Sequence, residues 1–279
     1  MKLLYHIEKT HSTFRHNFFA FIHIIIVKGL MHMPKIYLSP STQENNMYVT
    51  GGSEEYYMNL IADDMVPYLR SSGIQYTRNT KDMTAASSIT QSNSGNYGLH
   101  LAIHSNAAPE GQYGTYRGID VYYSPKSPLG KKAAEIFARN LKTIYPLPDR
   151  VRALPTTSIG EVTQTRAPAV FLEIGYHDNR NDADWITGNI PGIAENLVLS
   201  LTEFFGIPFI LPTAPRRGTV RISSGTLNLR SRPNLSARVL ASMPNGAALT
   251  VLGQWQDWSV VNYRGIIGYA ASRYINIAE

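Results

Sequence analysis

The sequence predicts an α/β fold, a mainly parallel twisted sheet flanked by helices, followed by a small all-β barrel domain. Three observations carry this prediction. Ala169 to Ile174 is a short apolar run bounded by Pro168 and Gly175, as in a strand buried on both faces of an α/β sheet. Tyr57, Ile61, Met65 and Leu69 recur every four residues and give the stripe of a helix that packs against such a sheet. Beyond Gly218 the pattern changes to short alternating runs, T-L-N-L-R-S-R-P, A-L-T-V-L-G, W-S-V-V-N-Y and I-I-G-Y-A, separated by turn residues such as Pro244-Asn245-Gly246 and Arg264-Gly265.

The elements follow in order. Lys35 to Leu38 reads as a strand, and Ser39 to Gln43 as the loop leaving it. Ser53 caps a helix to about Ser72, with Glu54 and Glu55 in its first turn where the helix dipole favours acids. Pro67 is expected to bend its last turns and Gly73 to end them. Ile74 to Thr77, Leu99 to Ile103 and Ile119 to Tyr123 are further strands, and Asp82 to Asn96 is a loop or a weak helix. Leu129 to Tyr145 is a second amphipathic helix; a last one runs from Ile193 to Phe205 after the Ala169 to Ile174 strand. Strands alternating with helices imply the mainly parallel sheet.

Domain limits follow from composition. Residues 1–33 stand apart: the apolar run Phe18 to Val27 is shorter than the ~20 residues of a spanning helix, is interrupted by His23, and precedes no small-x-small cleavage site. They read as a signal-like segment or, with Met31 or Met33 as the true start, as a misassigned beginning. The main domain is expected over residues 34–208, a Pro-rich linker over 209–217 and the barrel over 218–279.

Composition narrows the chemistry. The net charge is +6 with 16% charged residues and no clustered Lys/Arg run, which suits an anionic wall or membrane surface, is explained equally well by solubility alone, and gives no support to nucleic-acid binding. Cysteine is absent, so any metal must be held by His, Asp or Glu. Five of the eight histidines lie in residues 1–33, leaving His100, His104 and His177 in the folded body. Glu173 breaks the central apolar run at the strand's carboxyl end, where open α/β sheets place their sites; a buried carboxylate there needs a partner, a metal or a function. The bland alternative is a glutamate that reaches solvent or pairs with Arg166.

Glu55 at the head of the first helix, Thr77-Arg78, Ile103-His104-Ser105-Asn106 and Pro168-Ala169-Val170-Phe171-Leu172-Glu173 with Gly175 occur in an order and spacing that resembles the zinc-dependent N-acetylmuramoyl-L-alanine amidases, a cell-wall hydrolase family. L-N-L-R-S-R-P, W-S-V-V-N-Y and G-Y-A-A-S-R-Y-I in the tail are similar to bacterial Src-homology-3-like wall-binding domains. The resemblance implies a Zn²⁺ held by a Glu and two His, with Glu55 as the ligand glutamate, His104 as the second ligand histidine and Glu173 as the general base. The family's first ligand histidine lies in D-P-G-H-G-G; here the loop is S-P-S-T-Q-E, with Thr42 in the histidine's place. Among replacements His177 follows Gly175 and can turn back toward the site, Gln43 and Glu44 are further candidates, and His100 lies ~13 Å along its strand from His104. One Zn²⁺ with an open position both activates water and polarises a carbonyl, and three protein ligands are usual.

The implied activity is hydrolysis of the amide between N-acetylmuramic acid and L-alanine of the peptidoglycan stem peptide, by an autolysin or endolysin acting as a monomer, without stable membrane insertion, at the cell wall or outside the cell. Two other readings remain: a peptidoglycan-binding protein with a degenerate metal site, and a carboxylate-only glycosidase using Glu55 and Glu173. In the barrel, Trp255, Trp258 and Tyr269 are either groove or core residues, and in so small a barrel core is the commoner use.

Overall fold

The computed structural model describes residues 34–278, so the expectations for residues 1–33 lie outside the described residues. The first sheet contains β1 (Lys35–Pro40), β2 (Gln75–Arg78), β3 (Leu99–Asn106), β4 (Ile119–Tyr123), β5 (Val151–Pro155) and β6 (Ala169–Tyr176), in the spatial order β2-β1-β3-β6-β4-β5. β2, β1, β3 and β6 are mutually parallel, while β4 runs antiparallel to β6 and parallel to β5. The sheet is therefore mixed. The chain leaves β3 and returns as β4 with no helix between them, a connection that favours an antiparallel placement. Gly118 sits at that return with φ 137°, and a Cβ on it would lie 2.7 Å from the Arg150 carbonyl oxygen of the neighbouring segment.

Among the described residues six α-helices accompany the sheet: α1 (Glu54–Ser71), α2 (Ala85–Ser94), α3 (Pro128–Leu141), α4 (Gly160–Thr163), α5 (Arg180–Gly188) and α6 (Ile190–Phe205). The Ser53 hydroxyl accepts from the Tyr56 N–H, so the expected cap of α1 is present. The helix runs through Pro67 to Ser71, and Gly73, with φ 75°, follows its end. The polar stretch after Asp82 is a true helix, because Thr84 and Ser87 exchange side-chain bonds with each other's backbone in a capping box. β5, α4 and α5 carry no sequence period long enough to announce them.

The two faces of the sheet differ chemically. On one, Ile36, Leu38, Leu101, Ile103, Val170, Leu172 and Val121 pack with Met58, Ile61, Met65 and Leu69 of α1 and with Phe137, Leu197 and Leu201 of α3 and α6. On the other, strand alternation presents His100, Ala102 and His104 of β3, Ala169, Phe171 and Glu173 of β6, and Asp120 and Tyr122 of β4, covered by α4 and α2. The hydrophobic set fixes the register, and the register delivers the polar set to the opposite face.

The second sheet is antiparallel throughout: β7 (Arg216–Val220), β8 (Thr226–Arg230), β9 (Val239–Pro244), β10 (Ala248–Trp255), β11 (Trp258–Tyr263), β12 (Ile266–Ala271) and β13 (Ile275–Ile277), in the order β13-β7-β10-β11-β12-β8-β9. It curls around its own core of Val220, Leu229, Met243, Val251 and Val261. Leu252, Val260, Ile267 and Tyr269 instead join the core of the first domain, with Trp255 and Trp258 partly buried against it. Those aromatic side chains pack between the two domains. The Pro-rich segment is not a free tether either: Ile207 and Ile210 are buried, and Ser71 donates to the Ile210 carbonyl at 2.5 Å.

Candidate active site

His104 lies in the buried stretch of β3 that runs from Leu99 to Ser105, beside Glu173 in the register of the parallel neighbour β6. Its Nδ1 lies 2.8 Å from Oε1 of Glu54, and its Nε2 lies 3.5 Å from Oε2 of Glu161. The ring stacks on Phe171 at 4.3 Å between centroids. Burial alone would depress the pKa of this imidazole, but Glu161 and Glu54 outweigh it and hold the ring protonated up to about 10.

Both carboxylates are themselves anchored. Glu54 is the first residue of α1; it accepts from Asn46 Nδ2 at 2.7 Å and from the Ser105 N–H at 3.3 Å. These donors, led by His104, overcome its burial and lower its pKa. Glu161, on the single turn α4, accepts from Ser39 Oγ at 2.6 Å and meets His100 Nε2 at 3.1 Å, while His100 Nδ1 bonds Ser92 Oγ at 2.9 Å. Burial raises the Glu161 pKa, yet the two histidines pull it down to about 2. The buried polar face thus carries a chain Ser92–His100–Glu161–His104–Glu54.

Glu173 is the exception in this network. Its Oε2 is buried without a hydrogen-bond partner among the described residues. Burial, opposed by His104 and reinforced by Glu54 and Asp120, pushes its pKa up to about 8. Asp120, its cross-strand neighbour on β4, is occupied by Arg152, which donates to it at 2.9 and 3.0 Å. A carboxyl poised near neutrality beside a fixed imidazolium, at the carboxyl ends of β3 and β6, can take a proton from one group and return it to another.

Of the residues singled out in the sequence, His104 and Glu173 come together and two others do not join them. The carboxylate that reaches His104 is Glu54, whereas Glu55, its side chain only 13% exposed, pairs with Lys81 at 3.4 Å. Successive helical residues point ~100° apart, so one position turns a carboxylate away from His104. His177 is buried, but its Nδ1 is taken by the Ser105 carbonyl and hydroxyl at 3.1 Å and its ring stacks on Tyr48; no contact joins it to His104, Glu54 or Glu173 among the described residues. Arg166 bonds the Gly95 carbonyl and does not pair with Glu173. Glu161 itself is silent in the sequence, because one helical turn in a polar stretch looks like surface. The one available signal was His100, a histidine in a buried strand that had to have a partner.

A zinc ion here would have to draw its ligands from the groups around His104. Nδ1 of His104 faces Glu54, with the Gln43 amide 3.3 Å from the same nitrogen. That gives one imidazole, one carboxylate and an amide, and an amide is a poor third ligand for Zn²⁺. Thr42 occupies the position at which the resemblance implies the first ligand histidine, and no group of three or more His, Cys, Asp or Glu suited to a metal occurs among the described residues. The residues present do not fit a three-ligand zinc centre.

A profile described as N-acetylmuramoyl-L-alanine amidase matches residues 41–202, and one described as bacterial SH3 domain matches residues 225–276. A search of curated proteins finds no significant match. Among solved structures, the amidase AmiC2 of Nostoc punctiforme superposes with a TM-score of 0.54 at 15% identity over 62% of this chain and 97% of that one. An N-acetylmuramoyl-L-alanine amidase from Clostridium difficile 630 gives 0.55 at 17% identity, over 62% and 96%. The catalytic domain of the CD27L endolysin targeting Clostridia difficile gives 0.51 at 21% identity, over 62% and 98%. At these identities the solved structures establish the fold, and the amidase profile, spanning more than half of the sequence, establishes the rest: the chain belongs to the N-acetylmuramoyl-L-alanine amidase family and carries a bacterial SH3 domain behind its catalytic domain.

Proposed function

We propose that the polar face of the first sheet hydrolyses the amide between N-acetylmuramic acid and L-alanine in peptidoglycan, with Glu173 as the proton-transfer group. The observation that supports this reading most directly is the buried, unpartnered Oε2 of Glu173 beside His104. A dead site has no reason to keep an ionisable group there at such cost. In the ionised form Glu173 takes a proton from a water as its oxygen bonds to the amide carbon. The C–N bond then breaks and the same carboxyl returns the proton to the leaving alanine nitrogen, giving a carboxylic acid and an amine. His104, held as the cation between Glu54 and Glu161, supplies positive charge beside the oxyanion that forms.

Thr42 and the full occupation of both His104 nitrogens favour a second reading, a wall-binding protein whose metal site has degenerated. Digesting sacculi and measuring new N-terminal alanine separates the two. Hydrolysis that falls ~10²–10⁴-fold in Glu173→Gln supports the first; binding without any release of alanine supports the second. Among the described residues no helix is long and apolar enough to cross a membrane.

A further inference from the structure

The chain's positive charge is concentrated at one end. From Arg216 to Glu279 there are eight arginines, no lysine and two acidic residues, so this segment accounts for the whole +6, whereas residues 34–215 carry 14 basic and 17 acidic residues. Among the described residues the only carboxylate of the second domain is Asp257, in the turn joining β10 to β11. That turn lies at the end of the hairpin closed by Trp255 and Trp258, which pack toward the first domain.

The other end of the same sheet is concave and open. A cavity of about 610 Å³ there is lined by Arg217, Thr219, Thr250, Asn262, Arg264 and Asn276, with no acidic residue. Register places Arg217 of β7 beside Thr250 of β10, and Thr250 beside Asn262 of β11, so three polar side chains form one row across the outer face. Two strand spacings separate Arg217 from Asn262, roughly 10 Å. Arg264 projects from the turn that follows β11. It holds φ 51° ahead of Gly265 at φ 83°, a pair of left-handed positions that normally selects Asn or Gly at the first place. An arginine kept in that conformation argues for a use of its side chain. Asn262 fixes the turn by accepting from the Gly265 N–H at 2.9 Å, and the Arg264 guanidinium lies over the Tyr263 ring.

We propose that this groove binds an anionic glycopolymer whose charges are repeated phosphodiesters, and so attaches the enzyme to walls that carry one. Arginine forks match phosphate oxygens, and two forks on opposite sides of a groove call for a ligand with more than one charge. The exposed Arg216, Arg221 and Arg273 extend the positive surface beyond the cavity, which suits a polymer better than the one or two carboxylates of a stem peptide. The first domain, with its acidic excess, adds no attraction of this kind.

The inference is independent of hydrolysis and is tested by binding alone, on the full chain. Purified poly(glycerol phosphate) is titrated into the wild type, the double variant Arg217→Gln/Arg264→Gln, and Arg238→Gln, whose arginine is exposed but outside the groove. Affinity is expected to fall at least tenfold in the double variant and less than twofold in Arg238→Gln. Equal losses in both would mean diffuse charge attraction and overturn the groove. In a second arm, which needs no variant, wild-type protein is sedimented with sacculi before and after phosphodiester polymers are removed with hydrofluoric acid. Binding that drops at least tenfold on stripping supports the proposal, and unchanged binding overturns it.

Discussion

Oε1 of Glu54 lies 2.8 Å from Nδ1 of His104, joining the first residue of α1 to the end of β3 inside the polar face. Breaking a buried pair by neutralising one partner typically costs ~3 kcal/mol or more, because the other charge stays buried. Glu54→Gln is therefore expected to destabilise the protein by about that much in denaturant unfolding and to cut amidase activity at least tenfold. Glu55→Gln loses a pair with Lys81, whose side chain is 67% exposed against 13% for Glu55, and is expected to change stability by less than ~1 kcal/mol. Equal effects of the two substitutions would remove Glu54 from the site.

Glu173 gives a pH dependence with a definite sign. Its pKa is raised from 4.5 to about 8, so between those values the unfolded chain has released a proton that the folded chain still holds. Stability contributed by this group therefore falls as pH rises from 4.5 to 8 and is level above that. Glu173→Gln removes the slope. The variant is expected to be more stable than the wild type by about 1–3 kcal/mol at pH 8 and to match it near pH 4.5. Thermal unfolding of both proteins at pH 4.5, 6, 7 and 8 checks this; a constant difference across the series would refute the raised pKa.

Thr42 stands where the resemblance puts a histidine, and around Nδ1 of His104 the described residues place the Glu54 carboxylate and the Gln43 amide. Thr42→His restores a strong third donor. Zinc bound after dialysis against a weak chelator is expected to be well below one equivalent in the wild type and to approach one in Thr42→His, with affinity at least tenfold higher. One tightly held equivalent in the wild type would show that Gln43 or water completes the shell. In that case His177→Ala should leave the zinc in place, since His177 is engaged with Ser105.

The fold was legible wherever burial imposed a period. The stripe Tyr57, Ile61, Met65 and Leu69 and the run Ala169 to Ile174 announce their elements because one face, or both, must leave water. The direction of β4 was not legible, since it depends on the return path through Gly118 and not on the apolarity of Ile119 to Tyr123. His104 and Glu173 could be found because each is a polar break in a buried strand. Glu54 and Glu55 are adjacent acids in one helical turn, and only packing tells which faces inward. Glu161 lies 57 residues beyond His104 on a single turn, and only tertiary structure brings it to the two histidines.

The hydroxyl of Tyr269 donates to the Ser72 carbonyl at 2.7 Å, a buried bond that joins the two domains. Around it, Gly253 approaches the Ser71 carbonyl so closely that a Cβ would lie 2.7 Å away, and a Cβ on Gly73 would meet the Tyr269 ring at 2.7 Å. Leu252, Val260 and Ile267 continue the core of the first domain, and Ile207 and Ile210 of the Pro-rich segment are buried with them. A chain cut after Pro208 would expose this surface, so the catalytic half is expected to lose stability and to associate, in contrast to what a free Pro-rich tether implies. The full-length protein is expected to unfold in one calorimetric transition. Tyr269→Ala, which deletes the ring and the bond, should cost ~3–5 kcal/mol and separate that transition into two. Tyr269→Phe keeps the ring and leaves the Ser72 carbonyl unpaired; it should cost ~1 kcal/mol and preserve the single transition. Two transitions in the wild type would mean that the domains do not share a core.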